Sequence, residues 1–116
     1  MSPRNYEAGL RGEDLARAWL ETRGMTFVEG RFRAGRGEID LVMRDGETLM
    51  LVEVKYRPGG RAGDGLTAVT PAKRQRFISA AAGYLAQREA GDVPVRFDVV
   101  EITADGVRHI PDAFRA

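Results

Sequence analysis

Two apolar segments on either side of Asp45-Gly46 limit the possible folds of this chain more than any other feature. Residues 37–42 read Gly-Glu-Ile-Asp-Leu-Val, and residues 49–55 read Leu-Met-Leu-Val-Glu-Val-Lys. Asp-Gly between two such segments is a strong signal for a two-residue β-hairpin turn. The sequence therefore predicts two adjacent antiparallel strands, each with acidic residues inside an apolar run.

The side chains of these two strands divide between two faces, because successive residues in a strand alternate. If Arg44 lies opposite Glu47, Glu38 lies opposite Glu53. One face then carries Glu38, Asp40, Val42, Leu51, Glu53 and Lys55. The other face carries Ile39, Leu41, Met43, Met50, Val52 and Val54, and we interpret this wholly apolar face as the core.

Three carboxylates on one strand face need a compensating charge. Opposed like charges destabilise a sheet by roughly 0.2–1 kcal/mol per pair, and one lysine cannot neutralise three acids. With no cysteine and one histidine in the chain, oxygen ligands favour Mg²⁺ or Mn²⁺ over zinc. We therefore predict a metal site formed by Asp40, Glu53 and Glu38. The alternative is a solvated face on which Lys55 forms a salt bridge with Glu53 or Asp40.

Lys55 follows Glu53 by two residues, so both side chains point the same way. Beside a metal, its ammonium group can orient an attacking water or stabilise charge on a transferring phosphoryl group. Glu13 lies on the apolar stripe of a predicted first helix, together with Leu10, Ala16 and Leu20. It is expected either to point toward the sheet as a further acid of the site, or to reach water at the edge of the helix.

The rest of the chain completes a mixed α/β pattern. Helices are predicted over 6–23 and from Thr70-Pro71 to about Arg88, strands over 25–33, 37–44, 47–56, 95–102 and 107–110, and a glycine-rich loop over 57–65. Arg96 and Asp98 are expected to pair locally, and His109 to be structural. The order α-β-β-β-α-β-β in 116 residues predicts a single domain over residues 1–116 with one core.

Positive charge is concentrated although the net charge is only +1. Residues 31–36 and 55–76 contain nine of the 18 basic residues and one acid, Asp64, so the remainder of the chain carries −7. Such a patch is typical of a polyanion-binding surface, and a solvated basic face is the alternative. The predicted nucleic-acid-binding residues are Arg57, Arg61, Lys73, Arg74 and Arg76.

Several other classes of protein do not fit the sequence. Serine occurs only at positions 2 and 79, which leaves little material for a catalytic triad, and the glycine-rich loop lacks the Gly-Lys-Ser/Thr ending of a phosphate-binding loop. No segment resembles a signal peptide or is apolar enough to cross a bilayer. A cytoplasmic protein without membrane contact is therefore expected.

These motifs together resemble the PD-(D/E)xK, or restriction endonuclease-like, nuclease superfamily. More narrowly, the chain resembles the bacterial YraN-like family, which is similar to archaeal Holliday junction resolvases. The resemblance is carried by Gly12-Glu13, Gly37-Glu38-Ile39-Asp40-Leu41, Val52-Glu53-Val54-Lys55 with Arg57, Lys73 and Arg96-Phe97-Asp98-Val99-Val100. Two positions depart from the pattern: Ile39 stands where the superfamily has proline, and Arg31 where the family tends to have asparagine.

The resemblance implies a restriction endonuclease-like α-β-β-β-α-β core and Mg²⁺-dependent hydrolysis of DNA, such as branched or damaged DNA in repair or recombination. Asp40 and Glu53 would bind the metal, Lys55 would assist the attacking water, Glu13 would complete the acidic site and Lys73 would be an accessory cation. By analogy with junction resolvases alone, a homodimer is expected. The alternative function is a nucleic-acid-binding module that keeps the fold without catalysis.

Overall fold

The computed structural model describes residues 3–61 and 70–114, with side chains from residue 10 onward. The elements are α1 (Pro3–Thr22), β1 (Thr26–Ala34), β2 (Gly37–Asp45), β3 (Thr48–Arg57), α2 (Pro71–Gln87), β4 (Val95–Thr103) and β5 (Gly106–Phe114). The predicted order of helices and strands is therefore confirmed. Residues 62–65 of the predicted glycine-rich loop lie outside the described residues.

The five strands form one mixed sheet in the order β1-β2-β3-β4-β5. β3 and β4 are parallel, and the other neighbouring pairs are antiparallel. The parallel pair is joined through α2, as a parallel connection requires a crossover. This architecture confirms the predicted α/β class with a mixed sheet flanked by helices. Neither helix, over the ranges described, is long and apolar enough to cross a membrane.

The two helices cover opposite faces of the sheet. α2 begins as predicted, with Thr70 as N-cap accepting a hydrogen bond from the Lys73 N–H and with Pro71 in the first turn. Successive strand residues pack on different helices: Val42 lies in the cluster with α2, and Met43 in the cluster with α1. Both faces of the sheet are therefore core.

The prediction that only one face of the β2–β3 hairpin is core is wrong. Val42 and Leu51, which were grouped with the acids, are fully buried in the cluster formed with α2. Ile39 and Leu41 would share a face in a regular strand, yet they pack in the α2 and α1 clusters respectively. The alternation of side chains in β2 therefore changes phase at Asp40.

The predicted hairpin register is also wrong. Asp45 pairs with Thr48, so the two-residue turn is Gly46-Glu47, and Val42 lies opposite Leu51. Gly46 has a φ of 60° at the first central position, where a type II′ turn favours glycine. In this register Glu38 does not lie opposite Glu53. The pairing ends before Asp40, but the charges of Asp40 and Glu53 still interact.

Two glycines allow the helices to approach the strands that carry the acids. A Cβ atom on Gly12 would lie 2.6 Å from Cβ of Tyr56, and one on Gly37 would lie 2.0 Å from the carbonyl oxygen of Arg76. Both distances are shorter than any van der Waals contact. Gly12 thus allows α1 to approach β3 beside Glu13, and Gly37 brings the start of β2 against the first turns of α2.

The last strand is longer than predicted. β5 extends to Phe114, whose ring stacks on Phe97 with centroids 5.3 Å apart. The residues that were missed include Pro111 and Asp112, and Asp112 has a positive φ of 52°. Pairing with β4 shifts register between Phe97 and Val99. Because this end of β5 is irregular, a search for strict alternation of apolar and polar residues does not detect it.

Candidate active site

Asp40 lies where β2 and β3 separate. The paired register ends at Leu41 and Val52, and beyond it the Val54 N–H donates to Oδ2 of Asp40 at 2.8 Å. Burial raises the pKa of Asp40 to about 7, against the opposing effect of the Val54 hydrogen bond. The negative charges of Glu13, Glu53 and Glu38 contribute to this rise. Four predicted site carboxylates are therefore close enough to interact electrostatically.

Glu53 and Lys55 form a largely buried ion pair. Lys55 Nζ lies 2.8 Å from Oε1 of Glu53, and the two side chains are 12% and 17% exposed, respectively. A salt bridge between these residues is what the solvated-face alternative predicts, but here water is mostly excluded from it. A buried pair costs more to desolvate than an exposed one and responds more strongly to a neighbouring charge.

Glu13 points toward the sheet and has a cationic partner. Nε of Arg31 on β1 donates to both oxygens of Glu13, at 2.8 and 3.1 Å. Burial raises the pKa of Glu13, and the hydrogen bond from Arg31 opposes that shift. Arg31 was not among the predicted site residues. The only available signal was that a carboxylate on the inward stripe of α1 requires a partner.

Glu38 lies at the outer edge of the acidic group. Its Oε2 atom accepts a hydrogen bond from Nη2 of Arg33 at 2.8 Å, and the Arg33 side chain is 75% exposed. Ion pairs exposed to this extent contribute at most about 1 kcal/mol to stability. Glu38 can therefore exchange Arg33 for another cation at little cost.

An open groove of about 660 Å³ is lined both by residues of the predicted acidic site and by residues of the predicted basic surface. Its charged lining residues are Glu38, Glu53, Lys55, Lys73, Arg76 and Arg36. A second groove of about 860 Å³ shares the Arg36, Glu38 and Arg76 part of this lining and adds Arg33. Arg36 was not among the predicted site residues, although it belongs to the basic segment recognised in the sequence.

Three of the predicted nucleic-acid-binding residues do not line this groove. Arg57 is the exposed last residue of β3. Arg61 pairs with Asp105 at 3.4 Å, beside the turn between β4 and β5. The guanidinium carbon of Arg74 lies 5.9 Å from the ring centroid of Phe114. Of the five, the groove brings only Lys73 and Arg76 to the acidic residues.

The acidic residues do not form a closed metal cage. Within residues 10–61 and 70–114, no three His, Cys, Asp or Glu side chains are arranged to hold a metal ion. Mg²⁺ usually binds through one or two carboxylates together with water and substrate phosphates. Asp40 is partly buried, and its desolvation and the neighbouring acids raise its pKa, so a bound cation would stabilise its ionised form. The donors Asp40 and Glu53 therefore fit a hydrated Mg²⁺ or Mn²⁺.

A second buried acid has a structural role. Asp98 accepts two hydrogen bonds from Arg96, at 2.9 and 3.0 Å, and one from the Asp112 N–H at 3.0 Å, and it lies 2.7 Å from Nε2 of His109. Burial would raise the pKa of Asp98, but these hydrogen bonds lower it overall. The network joins β4 to β5, which confirms the expected Arg96–Asp98 pair and agrees with a structural His109.

Comparison with known proteins identifies the family. The model of the uncharacterised protein family UPF0102 matches residues 12–102, a range that contains Glu13, Asp40, Glu53 and Lys55. The chain belongs to this family. A UPF0102 protein of Nitrosococcus oceani is 43% identical, over 99% of this chain and 98% of its own.

Two further UPF0102 proteins show similar agreement. The protein of Geobacter metallireducens is 42% identical, over 98% of this chain and 97% of its own. The protein YraN of Salmonella newport is 39% identical, over 93% of this chain and 84% of its own. The resemblance to the YraN-like family is thus confirmed.

Proposed function

We propose that this UPF0102 protein is a nuclease that uses Mg²⁺ or Mn²⁺ to hydrolyse DNA phosphodiester bonds. The observation that carries the proposal is the largely buried Glu53–Lys55 pair in a groove lined by cations, with Asp40 close enough to Glu53 for their charges to interact. The likeness of these motifs to the PD-(D/E)xK nucleases supports the same chemistry.

In the proposed mechanism Asp40 and Glu53 hold the metal ion. When bound, the ion activates water and neutralises charge on the phosphate. Lys55 holds its ammonium group beside the reacting phosphate, because Glu53 fixes the position of Nζ at 2.8 Å. There it orients the attacking water and stabilises negative charge on the phosphoryl oxygens.

The surrounding residues place the substrate. Lys73, Arg76 and Arg36 line the groove and bind the phosphates on either side of the scissile bond. Glu13 and Glu38 add negative charge around the metal. The likeness to junction resolvases favours branched or damaged DNA as the substrate, a role in repair or recombination, and a homodimer.

A cleavage assay tests this function. Flap, four-way junction and single-stranded DNA would be incubated with Mg²⁺ or Mn²⁺ and the wild type, Asp40→Asn, Glu53→Gln or Glu47→Gln. We expect cleavage to require the divalent ion and to fall at least about 100-fold in the first two variants, since each removes a ligand. Glu47→Gln, in the exposed hairpin turn, should cut as the wild type does. No cleavage by the wild type, or equal cleavage by all variants, would refute the proposal.

A DNA-binding module without turnover is the second candidate. It is favoured by the ion pairs of Glu13, Glu38 and Glu53, each of which already has a cationic partner. Such a protein would bind DNA both with and without Mg²⁺. Its Asp40→Asn variant would bind DNA with the same affinity as the wild type. Salt-sensitive binding together with the absence of any cleavage product would select this function.

A further inference from the structure

The charges around Asp40 are almost balanced by the protein itself. The cluster contains four carboxylates, Glu13, Glu38, Asp40 and Glu53. Three of them pair with cations: Glu13 with Arg31, Glu38 with Arg33 and Glu53 with Lys55. Among the described side chains none forms an ion pair with Asp40. With all groups ionised, three positive charges face four negative ones.

Arg31 differs from the other two cations in its position. Its Nε atom contacts both oxygens of Glu13, so the whole carboxylate is engaged. Its charge also interacts with those of Glu38 and Asp40. The Arg31 side chain is 32% exposed, against 75% for Arg33, its neighbour on the same strand. Of the two β1 cations that pair with the cluster, Arg31 is therefore the less exposed.

We propose that Arg31 is a built-in cation of this cluster, which withdraws Glu13 from metal binding and limits the site to one divalent ion on Asp40 and Glu53. The inference rests on the proposed function and refines it. One divalent ion changes the summed charge of the seven groups from −1 to +1, whereas two would give +3. In this arrangement Arg31 is a positioning residue, because it acts through Glu13.

The contacts of Glu13 also bear on whether a second ion could bind. A second ion would need Glu13, together with Asp40 or Glu38, as ligands. Arg31 already occupies both oxygens of Glu13 at hydrogen-bonding distance. A neutral residue at position 31 would leave Glu13 as an unpaired, largely buried carboxylate beside Asp40. That carboxylate would attract a second cation.

The test is the number of Mn²⁺ ions bound by the full chain, measured by isothermal titration calorimetry. The wild type should bind one equivalent, and Arg31→Met two. Arg33→Met is the matched control, since it removes a neighbouring arginine whose pair is exposed; it should bind one equivalent with an affinity within about twofold of the wild type. Arg31→Gln, whose amide can still donate to Glu13, is the second variant if Arg31→Met does not fold, and should also bind two.

The possible failures are distinguishable. Two equivalents bound by the wild type, or one equivalent of unchanged affinity in both Arg31 variants, would overturn the inference and leave the proposed nuclease intact. No Mn²⁺ binding by the wild type would overturn both. The double variant Glu13→Gln/Arg31→Gln should return to one equivalent, because the carboxylate that attracts the second ion is gone. Two equivalents in the double variant would also refute the role of Arg31.

Discussion

Asp40 has a structural hydrogen bond in the fold and also a role in the proposed chemistry. Its carboxylate accepts the Val54 N–H at the point where the strand pairing ends. The same carboxyl is partly buried among other acids, and this burial, with a smaller effect from the neighbouring negative charges, raises its pKa to about 7. One side chain therefore accepts a hydrogen bond where β2 and β3 separate and, in the proposed function, also provides a cation ligand.

Replacing Asp40 by Asn should stabilise the metal-free protein at high pH. The folded-state pKa lies above the value near 3.9 of an unfolded chain, so the folded protein favours the neutral carboxyl. Stability is thus retained at low pH and lost as the pH rises from about 4 to about 7. Asp40→Asn avoids this loss, worth up to about 4 kcal/mol, and its amide oxygen can still accept from Val54.

Chemical denaturation in the presence of a chelator at pH 5 and pH 8 measures this effect. Asp40→Asn should exceed the wild type in free energy of unfolding by more at pH 8 than at pH 5. Glu47→Gln, in the exposed turn, should show no such pH-dependent difference. An Asp40→Asn protein that is no more stable than the wild type at pH 8 would contradict the assignment.

At the scale of elements, close backbone contacts determine where the acids lie. Gly37 lets β2 begin directly against α2, and the acids Glu38 and Asp40 follow it along the strand. The adjacent residues Arg76 and Lys73 of α2 line the same groove. The distance between the acidic strand and the basic helix is thus set by a residue that takes no part in the chemistry.

Gly37→Ala should therefore be strongly destabilising. Its Cβ would lie 2.0 Å from the Arg76 carbonyl oxygen and 2.9 Å from Cβ of Ala80, so β2 and α2 must move apart. Overpacking of this kind typically costs about 1–3 kcal/mol. Gly59→Ala is the control, because its Cβ would meet nothing within 4 Å. Equal unfolding free energies for the two variants, measured with urea, would contradict this packing.

Sequence patterns predicted the elements well and their relative placement less well. Glu53 and Lys55 were recognised because a polar pair inside an apolar strand is unusual and depends only on local order. The Asp45-Gly46 signal did not specify which residue begins the turn, so the register was wrong although Asp40 and Glu53 remained close. Arg31 and Glu13 are 18 residues apart, and only tertiary packing brings them together.

At the scale of the whole molecule, positive charge is divided between the groove and the rest of the surface. Lys73, Arg76 and Arg36 line the groove with the acids, whereas Arg61 and Arg74 contact Asp105 and Phe114 elsewhere. The basic segments of the sequence therefore contain more cations than line the groove that is proposed to bind DNA. In the proposed function, the cations that line the groove are the ones that act on the phosphates next to the metal.

The salt dependence of DNA binding should separate these two groups of cations. Arg76→Gln is expected to weaken binding and to reduce the slope of log K against log salt by about 1, because one phosphate contact is lost. Arg74→Gln, on the same helix but outside the groove, should leave the slope unchanged. Fluorescence anisotropy with a labelled junction at several salt concentrations measures both, and equal reductions would contradict the assigned binding surface.

The central claim is that Asp40 and Glu53 jointly hold the catalytic ion. Its most direct test is the anomalous scattering of Mn²⁺ in crystals grown with that ion. We predict one peak at about 2.0–2.3 Å from carboxylate oxygens of both Asp40 and Glu53, with Lys55 still paired with the other oxygen of Glu53. A Mn²⁺ peak elsewhere, or none in this groove while Glu53 remains bound only to Lys55, would contradict the account.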